Sequence, residues 1–543
     1  MSFNTLAKNT NTRTVARTTP QNRPAGNAPV AQVKNNAGGF VFEISGLQKL
    51  DRFLIIGTSG GTFYASEKDI TKQNTDEVVK LIKANGKVVV DRVVEISQAG
   101  RAKNNDYALL VMALVFTHGD VATKLYAKDK LNLVARTGTH FMHFVAFANG
   151  MRGWGRSLKN VVQNWYSSKD TDKLAYQIVK YKQRDGWSHK DIMRLAHVKP
   201  GTDPVRQNLY KFINKGAESL SQGDLVPQLL IAAEQAKTTD TKTLIKLIQD
   251  FKLTHEMIPN EQKNDPKVWE ALVPHMGLGA LVRNLNKLTA VGLIKPFSET
   301  SKIVSAKLHD VEAIRKERLH PMSIVVAQKI YAQGRGDKGS LVWTPARTIV
   351  ADLEDAFYVS FEAVEPSGKN ILLALDVSGS MGSPISNTPL LSCAEGTAIM
   401  AMVTARTEPW TEIRGFTSGA NGFKDLGITS KDTLATACGK VRAHNFGGTN
   451  CALPFEYALQ HKWDVDAVCV YTDNETWSGG QHVFQAVRKY RQGMNKPEAK
   501  LITVGMAVNN FSIADPTDRN MLDVVGFDTA TPRFISEFIA GRI

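Results

Sequence analysis

Three short apolar runs in the last third of the chain constrain its fold more than any other feature of the sequence. They occupy residues 371–377 (ILLALDV), 467–471 (AVCVY) and 501–508 (LITVGMAV), and segments with helical patterns, such as 394–406, lie between them. Runs of this length are typical of strands that are buried on both faces of a parallel sheet. Strand and helix in alternation therefore predict a doubly wound α/β domain over residues 366–543.

The sequence before Pro366 has a different pattern. Residues 241–251 carry apolar side chains at the i, i+3, i+4 and i+7 positions of an amphipathic helix. Residues 76–84 predict another helix, which Gly86 is expected to end as a C-terminal cap. Many such segments with short polar breaks favour helix pairs stacked as a HEAT-like solenoid. Because no fixed-period motif repeats, a compact helical bundle is the alternative.

The positive charge of the chain is confined to one part of it. The net charge is +15, but the chain from Lys369 onward has 16 Lys+Arg and 17 Asp+Glu, a net of −1, which leaves +16 for the first 368 residues. Segregated positive charge points to a polyanionic partner for that part. Nucleic acid fits better than a membrane surface, because no strongly amphipathic basic helix is present. From charge alone, a merely solvated basic face is an equal alternative.

The N-terminus and the cysteines limit where the chain is expected to work. Residues 1–37 are rich in Asn, Thr, Ala, Pro and Gly, with five basic and no acidic residues, and predict a disordered basic tail. No apolar run is long enough to span a membrane and no secretory signal is present, so a cytoplasmic protein is expected. The four cysteines form no C-x-x-C pair and are interpreted as buried reduced thiols.

Polar residues follow two of the apolar runs and a glycine-rich loop. Asp376 lies at the end of the first run, Ser378 and Ser380 follow that run, Thr449 lies in the loop, and Asp473 follows the second run. Open α/β sheets bind ligands at the carboxyl ends of their strands. Two carboxylates and three hydroxyls form an all-oxygen set that suits a divalent ion, and Mg²⁺ in particular. The sequence therefore predicts a magnesium site; a purely structural ion or a vestigial site is the alternative.

A basic stretch that also contains aromatic residues spans residues 180–199. The candidate RNA contacts in it are Lys180, Arg184, His189, Lys190, Arg194, His197 and Lys199. Positive side chains neutralise phosphates, and aromatic faces can stack on unpaired bases. For Trp154, Trp165 and Trp187, however, a place in the hydrophobic core is favoured, because large aromatic side chains are mostly buried.

This stretch resembles the most recognisable block of the TROVE module of telomerase, Ro and vault proteins. Further blocks of similarity are GGFVF at 38–42, RFLIIG at 52–57, THE at 254–256, WEAL at 269–272 and RNL at 283–285. The junction VEP at 364–366, followed by LLALDVSGSM, is similar to the Ro autoantigen arrangement, in which a TROVE domain precedes a von Willebrand factor A domain. The GGTFY sequence at 60–64 is more similar to bacterial or phage members than to animal ones.

The resemblance implies an all-α ring of HEAT-like repeats over residues 38–365, closed by a von Willebrand factor A domain over residues 366–543. It implies that small structured Y-like RNA binds the outer basic surface through Lys180, Arg184 and His197. It also implies that single-stranded 3′ ends of misfolded RNA enter a central hole, in RNA quality control or processing without catalysis. The five predicted metal ligands match the metal-ion-dependent adhesion site of A domains.

The resemblance further implies partners and an assembly state. Bacterial relatives associate with exoribonucleases such as polynucleotide phosphorylase, with Y RNA as the tether, and a ring that closes within one chain is expected to be a monomer. The main alternative is a protein-binding scaffold without an RNA ligand, in which the A domain binds a carboxylate of its partner through the metal ion. A magnesium-dependent enzyme ranks third, because no candidate general base accompanies the predicted metal ligands.

Overall fold

The computed structural model describes residues 18–58, 66–221, 223–336, 339–361, 364–386, 388–419, 421–444, 447–528 and 530–543. The tail prediction for residues 1–17 and the similarity at 60–64 concern residues outside these ranges. Within them, no helix is both long and apolar enough to cross a membrane.

From Gly46 to Val359 the described residues are mainly α-helical, and many of these helices pack in two layers. The helices are α1 (Gly46–Ile55), α2 (Glu67–Ala99), α3 (Asp106–His118), α4 (Val121–Val134), α5 (Gly138–Arg152), α6 (Arg156–Ser167), α7 (Thr171–Lys180), α8 (His189–Ala196), α9 (Pro204–Lys215), α10 (Gln228–Gln235), α11 (Thr241–Phe251), α12 (Pro266–Leu272), α13 (Leu278–Ala290), α14 (Glu299–Leu308), α15 (Val311–Lys316), α16 (Pro321–Ala332) and α17 (Arg347–Val359). In one layer α2, α4, α6 and α8 contact each other in turn, and in the other α3, α5, α7 and α9 do so. This stacking confirms the HEAT-like prediction over the compact bundle.

The helix α2 differs from the sequence prediction at Gly86. Gly86 was expected to end a helix, but α2 only breaks at Asn85 (φ −157°, ψ 77°) and continues to Ala99. A Cβ atom on Gly86 would lie 2.5 Å from the methyl carbon of Thr123 in α4. The glycine therefore permits two helices to approach closely, and it does not cap the first one.

The helical array closes on itself within one chain. Arg318, after α15, donates a hydrogen bond of 2.7 Å to Gln98 in α2, and His320 Nε2 lies 3.3 Å from the carbonyl oxygen of Arg101. Arg101 in turn forms a 3.1 Å salt bridge with Asp528 of the C-terminal domain. The end of α2 therefore lies beside the segment between α15 and α16, and the predicted ring is present.

The C-terminal domain is built on a six-stranded sheet. The strands of the described residues are β1 (Gln32–Lys34), β2 (Phe40–Glu43), β3 (Gln183–Arg184), β4 (Trp187–Ser188), β5 (Ile371–Asp376), β6 (Pro384–Ile385), β7 (Thr388–Ser392), β8 (Thr411–Phe416), β9 (Phe423–Asp425), β10 (Ala467–Thr472), β11 (Lys500–Gly505), β12 (Phe511–Ser512) and β13 (Met521–Val525). The sheet has the order β13-β11-β10-β5-β8-β9, and its pairs are parallel except for the antiparallel β8–β9 pair.

Helices cover both faces of this sheet. They are α18 (Cys393–Thr407), α19 (Leu434–Arg442), α20 (Leu453–Gln460), α21 (Val483–Gly493) and α22 (Thr531–Ala540). Leu372 and Ala374 of β5 point into a core shared with α20 and α21, whereas Leu373 and Leu375 point into a core shared with α18, α19, α22 and the helical ring. Burial on both faces explains the unbroken apolar run, and the doubly wound prediction is confirmed.

Residues 18–43, called the N-terminal strap below, lie on the C-terminal domain, which corrects the expectation of disorder for residues 18–37. In the strap β1 pairs with β2, and β2 pairs with β12. The backbone N–H of Gln21 donates to the carbonyl oxygen of Gly479 at 3.2 Å, and Phe42 packs against Phe484 with ring centres 5.7 Å apart. Composition did not reveal this order, because the strap is held by hydrogen bonds to a distant surface.

Arg52 joins the helical ring to the C-terminal domain. Its side chain, on α1, is fully buried, and its Nη2 donates to both carboxylate oxygens of Asp523 in β13, at 2.7 and 2.8 Å. Its Nη1 donates to the carbonyl oxygens of Asn509 (3.0 Å) and Phe511 (2.8 Å). Loss of one member of a buried ion pair leaves the other charge uncompensated, so this contact is expected to be costly to break.

We therefore expect Arg52→Met to lower the free energy of unfolding by about 3–5 kcal/mol, since Asp523 would remain buried without its partner. Urea denaturation followed by circular dichroism measures the change. Lys302→Ala removes an exposed pair with Glu299 and serves as the control, with an expected effect below about 1 kcal/mol. Equal effects of the two substitutions would contradict this account of the junction.

Candidate RNA-binding surface and metal-ion site

The predicted RNA contacts lie on the end of α7, a two-strand hairpin and α8. The strands β3 and β4 pair around a turn at Asp185 and Gly186, both with positive φ (53° and 76°). The helix α8 begins with a capping box, in which Ser188 Oγ and the Asp191 carboxylate each accept a backbone N–H at 3.2 Å. It ends at His197, which has a left-handed conformation (φ 53°). The turn, the capping box and the left-handed residue together define the local structure of this segment, from the hairpin to the end of α8.

Most of the predicted RNA contacts are accessible on this segment. The exposed ones are Arg184, Lys190, Arg194, His197 and Lys199, and Lys180 is half-buried. The Nζ atom of Lys180 donates to the hydroxyl of Tyr176 at 3.0 Å and lies 5.4 Å from the centre of the Tyr181 ring. Six of the seven predicted residues can therefore be reached by a ligand.

His189 is the exception, and its prediction as an RNA contact was wrong. The side chain is 2% exposed, its Nδ1 lies 2.8 Å from the hydroxyl of Tyr166, and its ring stacks on Trp165 at 6.3 Å. Burial lowers the pKa of His189 to about 4, so the ring is neutral at physiological pH. Its position in the first turn of α8 points it inward, while Lys190, the next residue, points outward.

The three tryptophans pack in or against the hydrophobic core, as predicted. Trp165 is fully buried, and Trp154 and Trp187 are half-buried against each other, with ring centres 5.7 Å apart. The base-stacking role considered for this stretch therefore has no support from its tryptophans.

An open groove of about 690 Å³ borders the C-terminal end of α8. His197 and Lys199 line it together with Lys128 of α4 and the amides of Asn160 and Gln163 of α6. Basic and amide side chains can bind phosphates and base edges, respectively. The sequence did not reveal the residues of α4 and α6, because only the stacking of helices brings them beside α8.

Two smaller clefts continue along the same surface. Lys182 and Lys190 border a cleft of about 220 Å³ that Lys237 also lines. Lys180 borders a third cleft, also of about 220 Å³, together with Arg283 of α13. The predicted residues are therefore distributed along a surface with three concave regions, and they do not converge on one point.

The predicted metal ligands meet at the carboxyl ends of β5 and β10. Side chains of Asp376, Ser378, Ser380, Thr449 and Asp473 are all buried there. The backbone N–H of Gly379 donates to the carbonyl oxygen of Gly447 at 3.2 Å, which joins the loop after β5 to the glycine-rich loop. The structure thus brings Asp376, Ser378, Ser380 and Asp473 together and places the loop that carries Thr449 beside them.

The donor set fits a divalent cation. Asp376 Oδ2 accepts a 2.7 Å hydrogen bond from Thr472, Ser380 donates to Asp473, and no salt bridge within the described residues neutralises either aspartate. Burial and the charge of Asp473 raise the pKa of Asp376 to about 7. A cavity of about 20 Å³ borders Ser380 and Asp473, enough for one ion or water. Two buried carboxylates without a basic partner are best stabilised by a bound cation.

The N-terminal strap holds the loop after β10 that carries the second aspartate. Asn35 Nδ2 donates to the carbonyl oxygen of Thr476 at 2.7 Å, and the backbone N–H of Ala37 donates to the Glu475 carboxylate at 3.0 Å. A Cβ atom on Gly39 would lie 1.9 Å from the Thr476 carbonyl oxygen, so this close approach requires glycine. The sequence pattern gave no sign of this contact, since it joins opposite ends of the chain.

Comparison with known proteins identifies relatives for nearly the whole chain. The TROVE domain family matches residues 33–254 and 245–369, and the Ro60 von Willebrand factor A domain family matches residues 370–539. The RNA-binding protein RO60 of Deinococcus radiodurans is 41% identical over 532 residues, which cover 96% of this chain and 98% of that protein. Its namesake in Caenorhabditis elegans is 34% identical over 588 residues, covering 94% and 90%.

A solved structure gives the same result. The crystal structure of the Deinococcus radiodurans RO (RSR) protein superposes with a TM-score of 0.69 at 40% identity, covering 92% of this chain and 100% of that one. The likeness therefore extends to the arrangement of both domains.

The buried state of His189 predicts a pH dependence of stability. The folded pKa of about 4 lies below the ordinary value of 6.5, so protonation favours the unfolded chain. The stabilisation due to the neutral ring is complete above pH 6.5 and is lost as the pH falls from 6.5 toward 4. Between pH 7 and pH 5 this single group should cost about 2 kcal/mol.

Urea denaturation at pH 7 and pH 5 tests this. His189→Gln should be less stable than the wild type at pH 7 but should lose about 2 kcal/mol less on acidification. The exposed His461→Gln should behave like the wild type at both values. Equal acid sensitivity of His189→Gln and the wild type would show that His189 is not buried as a neutral ring.

Proposed function

Since this chain belongs to the Ro family, in which a TROVE domain precedes a von Willebrand factor A domain, we propose that it is an RNA-binding protein without catalytic activity. The observation that carries the proposal is that exposed cations on α8 and beside it have no acidic partner. Within the described residues no salt bridge engages Arg184, Lys190, Arg194 or Lys199. Exposed cations without acidic partners are free to neutralise phosphates. The names of the Deinococcus and nematode relatives support the same conclusion.

A second part of the proposal assigns two classes of RNA to two positions on the protein. Small structured Y-like RNA binds the outer surface formed by α7, the β3–β4 hairpin and α8, and single-stranded 3′ ends of misfolded RNA enter the central hole. The closed ring and the segregated positive charge support this division. Because the surface residues lie on a rigid scaffold, RNA shape and a free end would determine selectivity. Such a protein acts in RNA quality control or processing.

The partners and location follow from the same proposal. A Y-like RNA that occupies the outer surface can tether an exoribonuclease, such as polynucleotide phosphorylase, to a monomeric ring in the cytoplasm. The closure of the ring within one chain supports the monomer.

The C-terminal domain is proposed to bind a Mg²⁺ ion through Asp376, Ser378, Ser380, Thr449 and Asp473. The ion would neutralise two buried carboxylates and tie three loops together. A protein-binding scaffold without RNA is the competing function, and it is favoured by this same cluster, because a metal ion with an open position can bind a partner's carboxylate.

Salt dependence tests the RNA-binding proposal. The quadruple variant Arg184→Ala, Lys190→Ala, Arg194→Ala, Lys199→Ala should bind a stem-loop RNA with a single-stranded 3′ tail more weakly. The slope of log K against log salt should also decrease in magnitude by about 3, since each lost phosphate contact contributes roughly 0.7–0.9. Fluorescence anisotropy from low to moderate salt measures both quantities.

A matched control removes four exposed cations from the C-terminal domain: Lys369, Lys431, Lys462 and Arg519. It has the same change in net charge and should retain the wild-type slope. Crosslinking and sequencing of RNA bound to the native protein then identifies the ligand. If the wild type and the quadruple variant recover the same sparse RNA background, the RNA-binding proposal fails and the scaffold is favoured.

Metal binding is tested by thermal unfolding with Mg²⁺ or with a chelator. At a hundredfold excess over the dissociation constant, the ion should stabilise the wild type by about 2.7 kcal/mol. Asp376→Asn should remove most of this stabilisation, because it removes a charged ligand, whereas the exposed Asp250→Asn in the helical ring should leave it unchanged. A magnesium effect of equal size in all three proteins would contradict the assigned ligands.

A further inference from the structure

A histidine and two aspartates come together on the surface of the helical ring. Asp352 and Asp355 lie three residues apart on α17, so their side chains share one face of that helix. His309 follows the last residue of α14, which packs against α17. One potential ligand atom from each of the three side chains lies within 4.8 Å of the other two. Since His309 and Asp355 are exposed, small side-chain rotations are enough for the three atoms to surround one ion.

The imidazole of His309 is oriented so that its Nε2 faces the aspartates. Its Nδ1 lies 2.8 Å from the carbonyl oxygen of Ser305, and because a carbonyl oxygen can only accept, Nδ1 carries the proton. In the neutral ring the lone pair is then on Nε2, which lies 3.5 Å from Oδ2 of Asp355. A histidine that binds a metal ion usually donates its other ring nitrogen to a carbonyl or carboxylate oxygen in this way. His309 is therefore oriented to act as a ligand through Nε2.

Two carboxylates meet at this point without a basic side chain to offset their charge. In the parts of the chain that the structure describes, no lysine or arginine forms a salt bridge with Asp352 or Asp355. Oδ2 of Asp352 is buried and accepts no hydrogen bond, whereas its Oδ1 stays accessible. The hydrogen bond to Ser305 and the charges of the two aspartates raise the pKa of His309, although partial burial opposes this. A positive charge beside Nε2 is therefore stabilised.

A proton and a divalent metal ion offset the charge of the two aspartates to different extents. A proton on Nε2 adds one positive charge, so one of the two negative charges remains. A divalent ion bound to the neutral ring and both carboxylates gives a cluster with no net charge. One imidazole and two carboxylates also suit Zn²⁺, which is found at sites with three protein ligands and one water. Mg²⁺ fits less well, because it prefers oxygen ligands alone.

We propose that His309, Asp352 and Asp355 bind one divalent transition-metal ion, with Zn²⁺ the best match, and that this ion joins the end of α14 to α17. The proposal is separate from the RNA-binding function and from the magnesium site proposed for the C-terminal domain. Because two of the three ligands are exposed, the ion keeps at least one water. The helix α17 is the last one before the C-terminal domain, so the ion would hold that helix to the ring.

Isothermal titration calorimetry with Zn²⁺ tests the site, in a buffer with excess Mg²⁺ to fill the proposed site of the C-terminal domain. The wild type should bind one Zn²⁺ ion through these residues. His309→Gln and Asp355→Asn should each weaken this binding by at least about tenfold, because loss of a group that only supports a ligand already costs about 10–100-fold. Zn²⁺ should also raise the melting temperature of the wild type but not that of either variant.

Two further variants show where the ion binds. His461 lies at the end of α20, and its Nδ1 is 3.0 Å from the carbonyl oxygen of Tyr457, which is the same local contact as in His309. It belongs to no comparable group of ligands within the described residues, so His461→Gln should bind Zn²⁺ like the wild type. Asp376→Asn should do so too, because Asp376 lies in the C-terminal domain at the end of β5.

Three outcomes would overturn the site. The wild type could bind no Zn²⁺, or His309→Gln and Asp355→Asn could bind it as tightly as the wild type. Loss of binding in Asp376→Asn alone would place the ion in the C-terminal domain. Circular dichroism shows that each variant is folded, so that a loss of binding can be attributed to the missing ligand.

Discussion

A solenoid of helix pairs leaves an apolar face exposed at each of its two ends, and the way in which this chain covers those ends determines the rest of its structure. The end of α2 contacts the segment between α15 and α16 through Gln98 and Arg318, and both α1 and α16 contact the C-terminal domain. The buried Arg52–Asp523 pair also joins α1 of the ring to β13 of that domain. The core on one face of its sheet is continuous with the core of the ring. The two domains therefore share part of one hydrophobic core, although their sequences have clearly different patterns.

The same arrangement separates two kinds of chemistry. The basic surface lies on α7, α8 and their neighbours, where side chains are exposed and the local structure is fixed by a capping box and a hairpin. The candidate metal site lies at the carboxyl ends of β5 and β10, where the ligands are buried and their charges are uncompensated. Exposed cations suit a large polyanion, and buried carboxylates suit a small cation. The two proposed sites thus suit ligands of opposite charge, which agrees with the segregation of charge along the sequence.

The sequence predicted those parts of the structure that depend on local patterns. The apolar run of β5, the bounds of α11 and the order of the five predicted metal ligands could be read directly, because strand burial, helix periodicity and loop position each leave a periodic or positional signal. His189 was misassigned because adjacent residues at a helix start face opposite ways, and charge alone cannot show which is buried. The strap and the groove residues of α4 and α6 depend on contacts between distant segments, which no local pattern contains.

Closure of the ring within one polypeptide has a topological consequence. A polymer chain can pass through a closed ring only if one of its ends enters first, or if the ring opens transiently. The seam of this ring is held by the Gln98–Arg318 hydrogen bond, the approach of His320 to Arg101 and the Arg101–Asp528 salt bridge, so opening would have to break them together. If RNA enters the ring as proposed, a circular molecule, or one whose ends are folded into stable stems, would be excluded whatever its sequence while the seam holds. The proposed function would then select RNA by whether it has a free end.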